Sequence, residues 1–288
     1  PEYINDADEF HILDLTNQHA VDDFFLRNAF DEVYQLAADM GGADYIFTGD
    51  NDLEIMTRSM QINLNVIDAV RAYNVPKIFY SSSACVYSED KQLDKNNIDC
   101  RESAAYPANP DSEYGWEKLF SERLYQNLHK HTNTQVRIAR FHNIFGPSSE
   151  YDSGREKAPA ALCRKVALCP NGGSIDVYGS GEQVRSFMFI SDCLDCVEDL
   201  MLSGYSAPVN IGSNFTISIN DLAKKIIAIS GKSITINNID VPQTGVVART
   251  SDNELFDRMV GTPRKVGLPD GLEKLYRWID TQVNGFTS

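Results

Sequence analysis

A chain of 288 residues with 26 basic against 41 acidic side chains carries a formal charge of −15, which argues against nucleic acid and anionic membrane surfaces as partners. With 42 % hydrophobic and 23 % charged residues it has the composition of a soluble globular protein, long enough for one large α/β unit or a nucleotide domain with a smaller lobe. No run approaches the roughly 20 apolar residues of a membrane span, no signal peptide is expected, and cysteines without a disulfide-framework spacing point to a reducing, cytoplasmic setting.

Residues 10–13 predict a short strand ending at Asp14, followed by a helix over about 18–29. A strand over 32–36, a loop over 37–42 and a long helix over 51–73 come next, the helix marked by apolar positions at helical spacing. Strand 77–81, helix 113–131 and strand 136–141 continue the alternation expected of a parallel sheet with crossover helices. Past Gly146-Pro147 the rhythm changes. A polar loop through Arg155 leads to a helix over 158–169, short strands near 175–177 and 187–190, and helices at about 192–203, 218–230 and 271–284. The fold class is therefore α/β, a Rossmann-like, doubly wound parallel sheet over 1–147 with a mainly substrate-binding lobe over 148–288. Segments near 186–212 are expected to return to the sheet, and no internal repeat or low-complexity linker is visible.

A dinucleotide-binding fold opens with a strand, a glycine-rich turn and a helix whose amino end holds the pyrophosphate. The first glycine here is Gly41. The opening unit is thus expected to be missing, by truncation ahead of Pro1 or by loss, and NAD binding by residues 1–288 alone to be weak.

The apolar run Ile78-Phe79-Tyr80 reads as a buried strand that delivers Ser81, Ser82 and Ser83 to its carboxyl end, where open α/β sheets bind ligands. Tyr114 and Lys118 stand four apart at a helix start, so both point to one face. A phenol beside an ammonium is a proton-transfer pair, because the cation favours the phenolate. A serine hydroxyl on the neighbouring strand can share that proton. Cys85 adds a second acid or base, which suggests more than one chemical step, although alone it reads equally as a small buried side chain. Tyr-x-x-x-Lys also arises by chance on helices, and the serine-bearing strand is what lifts it above that background.

Against the acidic background Arg155, Lys157, Arg164 and Lys165 cluster with only Glu156 opposing, and Arg185 and Arg249 stand in segments that can reach the same cleft. Such an island suits a sugar-nucleotide diphosphate, which arginine binds bidentately. The alternative is a solvated helix face. Cys193-x-x-Cys196 lacks a second pair or a histidine cluster, so no metal is expected and packing is preferred to a redox role. His129 and His131 end a polar helix and read as solvated.

Ser-Ser-Ala-Cys-Val-Tyr at 82–87 and Tyr-x-x-x-Lys at 114–118 resemble the extended short-chain dehydrogenase/reductase family. Sharper still are Leu-Ala-Ala-Asp-Met-Gly-Gly at 36–42, Arg-Phe-His-Asn-Ile-Phe-Gly-Pro at 140–147 and Gly-Arg-Glu-Lys-Ala-Pro-Ala-Ala at 154–161. The last supplies a lysine where other members carry something else, and the likeness runs from Glu9 to Trp278.

The resemblance implies a sugar-nucleotide member that uses NAD and acts on GDP-mannose, oxidising C4, inverting C3 and C5 beside the ketone, and reducing C4 again. It assigns Tyr114 as the base at the 4-hydroxyl, Lys118 as the group that lowers the tyrosine pKa and binds the nicotinamide ribose, and Ser83 as a hydrogen-bond partner of the reacting oxygen. Cys85 and Lys157 become the acid and base on opposite sugar faces; a thiol with an unperturbed pKa of about 8.5 is suited to that task. Substrate contacts are implied at Gly41, Ser83, Ala84, Cys85, Asn143, Glu156, Lys157, Lys165, Arg185 and Arg249. Cofactor contacts are implied at Asp14, Leu36, Ala37, Ala38, Tyr114 and Lys118. From the residues alone Asp14 reads nearly as well as a helix N-terminal acid before Thr16-Asn17. A homodimer through the helices at 51–73 and 113–131 is also implied. The rivals are a GDP-fucose synthase-like epimerase-reductase, a plain 4-epimerase needing neither Cys85 nor Lys157, and a non-catalytic sugar-nucleotide-binding remnant.

Overall fold

Apolar runs alternating with amphipathic helices bury best as a sheet covered on both faces. A computed structural model describes residues 7–240 and 245–285 and shows that arrangement. In its first half, α1 (Gln18–Arg27), β1 (Glu32–Gln35), α2 (Ala43–Ile46), α3 (Asp52–Ala72), β2 (Lys77–Ser83), α4 (Glu113–His131) and β3 (Gln135–Phe141) follow in order. Then come β4 (Ile144–Phe145), α5 (Ala158–Leu168), β5 (Ser174–Tyr178), β6 (Val184–Ser186), β7 (Met188–Phe189), α6 (Ile190–Leu202) and β8 (Val209–Ile211). The chain continues with β9 (Thr216–Ser218), α7 (Ile219–Ser230), β10 (Thr235–Ile239), β11 (Ala248–Arg249), α8 (Glu254–Met259) and α9 (Leu268–Asn284).

The main sheet runs β1-β2-β3-β8, all parallel, and its longest register pairs Lys77 with Gln135 through Ser83 with Phe141. Strand β2 is buried on both faces. Ile78 and Tyr80 join Val66, Val70 and Tyr125 of α3 and α4, while Phe79 packs with Ala139, Cys196 and Leu200 on the α6 side. Each such side chain contributes about 1.5–3 kcal/mol by burial, so the strand that carries the serines is anchored from both sides. A second core gathers α5, α7 and α9 through Leu162, Val166, Leu222, Ile226, Leu272 and Leu275. Two small sheets accompany this lobe, the parallel pair β4–β7 and the three-stranded β11-β6-β9.

Two expectations need correction. Residues 10–13 are not a strand: among the described residues nothing pairs with them, and Ile12 is 95 % exposed. Apolar composition cannot supply the neighbouring ladder that a strand requires. Strand β2 also runs two residues past the expected end at 81, so Ser82 and Ser83 belong to the ladder, opposite Arg140 and Phe141.

Helix α4 starts on a serine cap, with Ser112 Oγ accepting from Gly115 N at 3.2 Å. At Gly115 a Cβ would fall 2.2 Å from the Cys85 carbonyl oxygen, so only glycine lets the first turn of α4 press on that segment. That approach sets Tyr114 against the end of β2.

Candidate active site

Ser83 ends β2 and caps the single 3-10 turn Ala84–Val86, accepting from Cys85 N at 3.2 Å. That turn uses one of the two lone pairs on its oxygen, and its O–H can donate toward Tyr114. Tyr114 is buried beside it. Burial pushes the Tyr114 phenol well up, Cys85 and Glu117 push the same way, and the Ser83 hydroxyl opposes them. The expectation that Lys118 lowers this pKa is not met. The Lys118 ammonium donates to Ser81 O at 3.0 Å and lies 5.7 Å from the Tyr114 ring centroid, and it is not among the groups that move the Tyr114 pKa. Burial lowers the Lys118 pKa, against the carboxylates of Glu117 and Glu122 and the Cys85 thiol.

Cys85 is 8 % exposed and packs with Ile46, Ile55 and Tyr114. Its sulfur accepts from Arg249 Nη1 at 3.1 Å. The same guanidinium donates through Nη2 to Asp111 Oδ2 at 2.6 Å and through Nε to Gln92 Oε1 at 2.5 Å. Arg249 therefore reaches the site as expected, but through the thiol. Asp111 and Gln92 were not anticipated; Asp111 lies three residues before Tyr114, and no local pattern marks Gln92.

Lys157 is the residue before α5, whose first turn holds the buried Pro159. It retains open surface, yet the protein around its ammonium pushes the pKa down, and the thiols of Cys85 and Cys193 are close enough to oppose that fall. The loop carrying it is clasped to the loop after β1. A Cβ on Gly42 would lie 2.4 Å from Glu156 O, Arg155 stacks 4.0 Å over the Tyr45 ring and approaches Asp39 at 3.5 Å, and Tyr45 donates to Asp39 at 2.8 Å. The basic island is thus opposed by Asp39 as well as Glu156, a pairing across 116 residues of sequence.

Other expected substrate residues are placed as follows. Arg185 lies opposite Arg249 in the β6–β11 ladder and donates to the carbonyls of Val184, Val246 and Val247. Burial and then Arg249 lower its pKa to about 10, with Asp111 opposing. A guanidinium held only by carbonyls next to a second guanidinium suits an anion. Asn143 takes a left-handed φ of 48° and donates to Ser186 O at 3.0 Å. Gly41 is buried on Tyr45, and Ala84 is buried beside Cys85. The Glu156 carboxylate accepts from Gly154 N at 2.7 Å. Lys165 faces β5, on Asp176 O at 2.7 Å and over the Tyr178 ring at 4.7 Å.

For the cofactor, Lys118 is a buried ammonium with one of its three donors spent on Ser81 and further donors available for ribose hydroxyls. Leu36 is exposed at the carboxyl end of β1, with the half-buried Ala37 and Ala38 beside it offering little steric bulk. These residues fit the nicotinamide-ribose end of NAD. The Asp14 carboxylate instead accepts from Thr16 N at 2.9 Å and Thr16 Oγ1 at 2.7 Å in a turn leading to the Asn17 cap of α1, and those bonds lower its pKa.

A parallel sheet whose central strand ends in serines, with a Tyr-x-x-x-Lys helix against it, is the arrangement of the short-chain dehydrogenase/reductase class. The model of the NAD dependent epimerase/dehydratase family matches residues 1–212, and the chain belongs to that family. Its sequence is 40 % identical over 277 residues to GDP-mannose 3,5-epimerase of Arabidopsis thaliana, covering 96 % of this chain and 72 % of that protein. It is 27 % identical to the probable GDP-L-fucose synthase 1 of Oryza sativa subsp. japonica, over 92 % of this chain and 81 % of that one. In fold it resembles the UDP-glucose 4-epimerase of Thermotoga maritima, with a TM-score of 0.83, 19 % identity, and coverage of 95 % of this chain and 85 % of that one.

Proposed function

We propose that this chain is a sugar-nucleotide epimerase that converts GDP-mannose to GDP-L-galactose by oxidation at C4, inversion at C3 and C5, and reduction at C4. The observation that carries the reading is that the Cys85 thiol, packed beside Tyr114, and the Lys157 ammonium, from a distant segment, are near enough to influence each other's charge. Two separate proton-transfer groups are what a double inversion needs and a plain 4-epimerase does not. Forty per cent identity to an epimerase of that specificity, against 27 % to a fucose synthase, points the same way.

Bound by Lys118, Leu36, Ala37 and Ala38, NAD would supply the hydride acceptor for C4 oxidation and the donor for the final reduction. Tyr114 takes the proton of the 4-hydroxyl, with Ser83 donating to the same oxygen and Lys118 holding the ribose. The ketone acidifies C3 and C5, because the carbanion formed at either is delocalised into the carbonyl. Cys85 and Lys157, on opposite faces of the ring, take a proton from one side and give one to the other. Lys157 acts as a base once deprotonated, which its lowered pKa favours. Arg185 binds the diphosphate, joined by Asn143, Lys165 and Arg249 around the sugar nucleotide; Gly41, Ala84 and Glu156 line the sugar end.

Incubation of the full-length protein with GDP-mannose and NAD in D2O tests this reading. Deuterium at C3 and C5 of the product is expected, and its absence from both positions overturns the mechanism. Turnover of a 4-keto-6-deoxy sugar nucleotide with NADPH, with none of GDP-mannose, would favour the epimerase-reductase instead.

The reading extends to assembly and setting. Leu53 and Leu64 on α3 and Trp116 and Phe120 on α4 are exposed apolar residues on two helices packed side by side. They suit a homodimer interface, which sedimentation of Phe120→Asp would test by yielding monomer. All six cysteines are free and buried, which fits a reducing compartment such as the cytosol. No helix among the described residues is long and apolar enough to cross a membrane.

A further inference from the structure

Cys85 is faced by cations on every charged side. Arg249 comes from β11, Arg185 from β6, Lys157 from the start of α5 and Lys118 from α4, each close enough for its charge to register on the thiol or be registered by it. Tyr114, also from α4, is neutral, and the α2–α3 side presents Ile46, Ile55 and the Tyr45 phenol, which is bonded to Asp39. Cations gathered around a thiol favour its thiolate form. A group that must both take and give a proton cannot be held in one state.

One carboxylate reaches into this ring of charge. Asp111 has a side chain only 1 % exposed and bonds Arg249 Nη2 at 2.6 Å, while Arg249 Nη1 touches the sulfur at 3.1 Å. Gln92, itself fully buried, takes the third donor, Nε, and holds its own amide on the carbonyls of Tyr87 and Ser88. The guanidinium is therefore fixed on three sides, in a plane that aims one N–H at the sulfur. Three sequence positions, 85, 92 and 111, converge on the Arg249 guanidinium.

We infer that Asp111 is a positioning residue that acts on Cys85 through Arg249, holding the guanidinium against the sulfur and offsetting its charge, so that the thiol can release a proton and regain it. Gln92 fixes the rotation of the same guanidinium. This rests on the reading of Cys85 as a ring acid and base, but its test needs no sugar nucleotide, so the two can fail separately.

Residue-resolved alkylation of Cys85 by iodoacetamide across pH reads the thiolate directly in the full chain. Asp111→Asn removes the offsetting charge and should move the Cys85 midpoint down by about one pH unit. Asp111→Glu should restore the wild-type midpoint. The double variant Asp111→Asn with Arg249→Gln removes both charges of the pair and should move the midpoint above wild type. Opposite shifts from the single and the double variant are not produced by loss of packing alone. A single-variant midpoint at or above wild type, or a double-variant midpoint below it, overturns the proposal. Should the single variant not fold, the double variant decides by the same criterion.

Discussion

In the proposed mechanism Cys85 and Lys157 serve one reaction from two kinds of structure. Cys85 follows a strand buried on both faces, its backbone is pressed by Gly115, and its sulfur sits on a guanidinium locked by Asp111 and Gln92. Lys157 comes from a loop whose hold on the rest is the Gly42 contact and the Arg155–Tyr45–Asp39 clasp, with Arg155 half exposed. One of the two proposed proton-transfer groups is built into the scaffold; the other is carried by a clasped loop. Disturbing the scaffold should therefore alter chemistry and stability together, whereas disturbing the clasp should alter the delivery of Lys157 and leave the rest intact.

The largest effect is expected at the scaffold side. Cys85→Ser should reduce solvent deuterium entry at the ring carbons by about 10²–10⁴-fold, the usual contribution of a positioned acid or base. Formation of reduced cofactor from GDP-mannose should persist, because Ser83, Tyr114 and Lys118 are untouched. Loss of both signals together would mean that Cys85 supports the first step as well, and the division of labour would fall.

Next in size is Gly42→Ala. The added methyl meets the Glu156 carbonyl at 2.4 Å, and backbone cannot yield as a flexible side chain does, so the 154–157 loop must move. A displacement near 1 Å costs on the order of 10²-fold in rate. Deuterium entry should fall by that factor while cofactor reduction continues, and Lys157→Ala should give the same pattern. An unchanged exchange rate in Gly42→Ala would show that Lys157 is not placed by this contact.

Much of the scaffold was legible in the sequence, because strand β2, its serines, Tyr114 and Lys118 depend on local periodicity and short spacing. The roles of Asp111 and Gln92 were not legible. Each is defined by Arg249, 138 and 157 residues away, and no local pattern foretells such a pairing. Asp39 escaped notice likewise, since its partner Arg155 lies on the far loop. Residues 10–13 failed for the opposite reason: their composition suits a strand, but a strand is a relation to a neighbour. Tyr114 is the subtler lesson. Its spacing from Lys118 predicted a lowered pKa, and burial with Cys85 and Glu117 nearby reversed the sign.

Behind the Cys85 segment the scaffold should also show in stability. His142 is fully buried, bonded to Asn210 at 2.9 Å, and Asn210 in turn accepts from the Tyr87 hydroxyl at 2.6 Å. Burial depresses the His142 pKa from 6.5 to about 3. Between those values the unfolded chain binds a proton that the folded one does not, so stability is full above about pH 6.5 and falls as pH drops toward 3. The loss from pH 7.5 to 5 attributable to this residue is about 2 kcal/mol. Urea unfolding of wild type and His142→Gln at the two pH values isolates it, and equal pH slopes would refute it.

The smallest effect belongs to the clasp. A cation over an aromatic ring at a half-exposed site contributes about 0.5–1 kcal/mol, and an ion pair of that exposure adds at most a similar amount. Arg155→Ala should accordingly lower deuterium entry by only about 5–10-fold. Its signature is its dependence on salt. Surface charge pairs are screened at high ionic strength, buried ones much less, so salt should narrow the gap between Arg155→Ala and wild type in the Lys157-dependent exchange. The Cys85 alkylation midpoint, set by charges within a buried network, should hardly move over the same range. If salt shifts that midpoint as strongly as it closes the Arg155 gap, the two groups are not held in different ways, and the contrast between scaffold and clasp collapses.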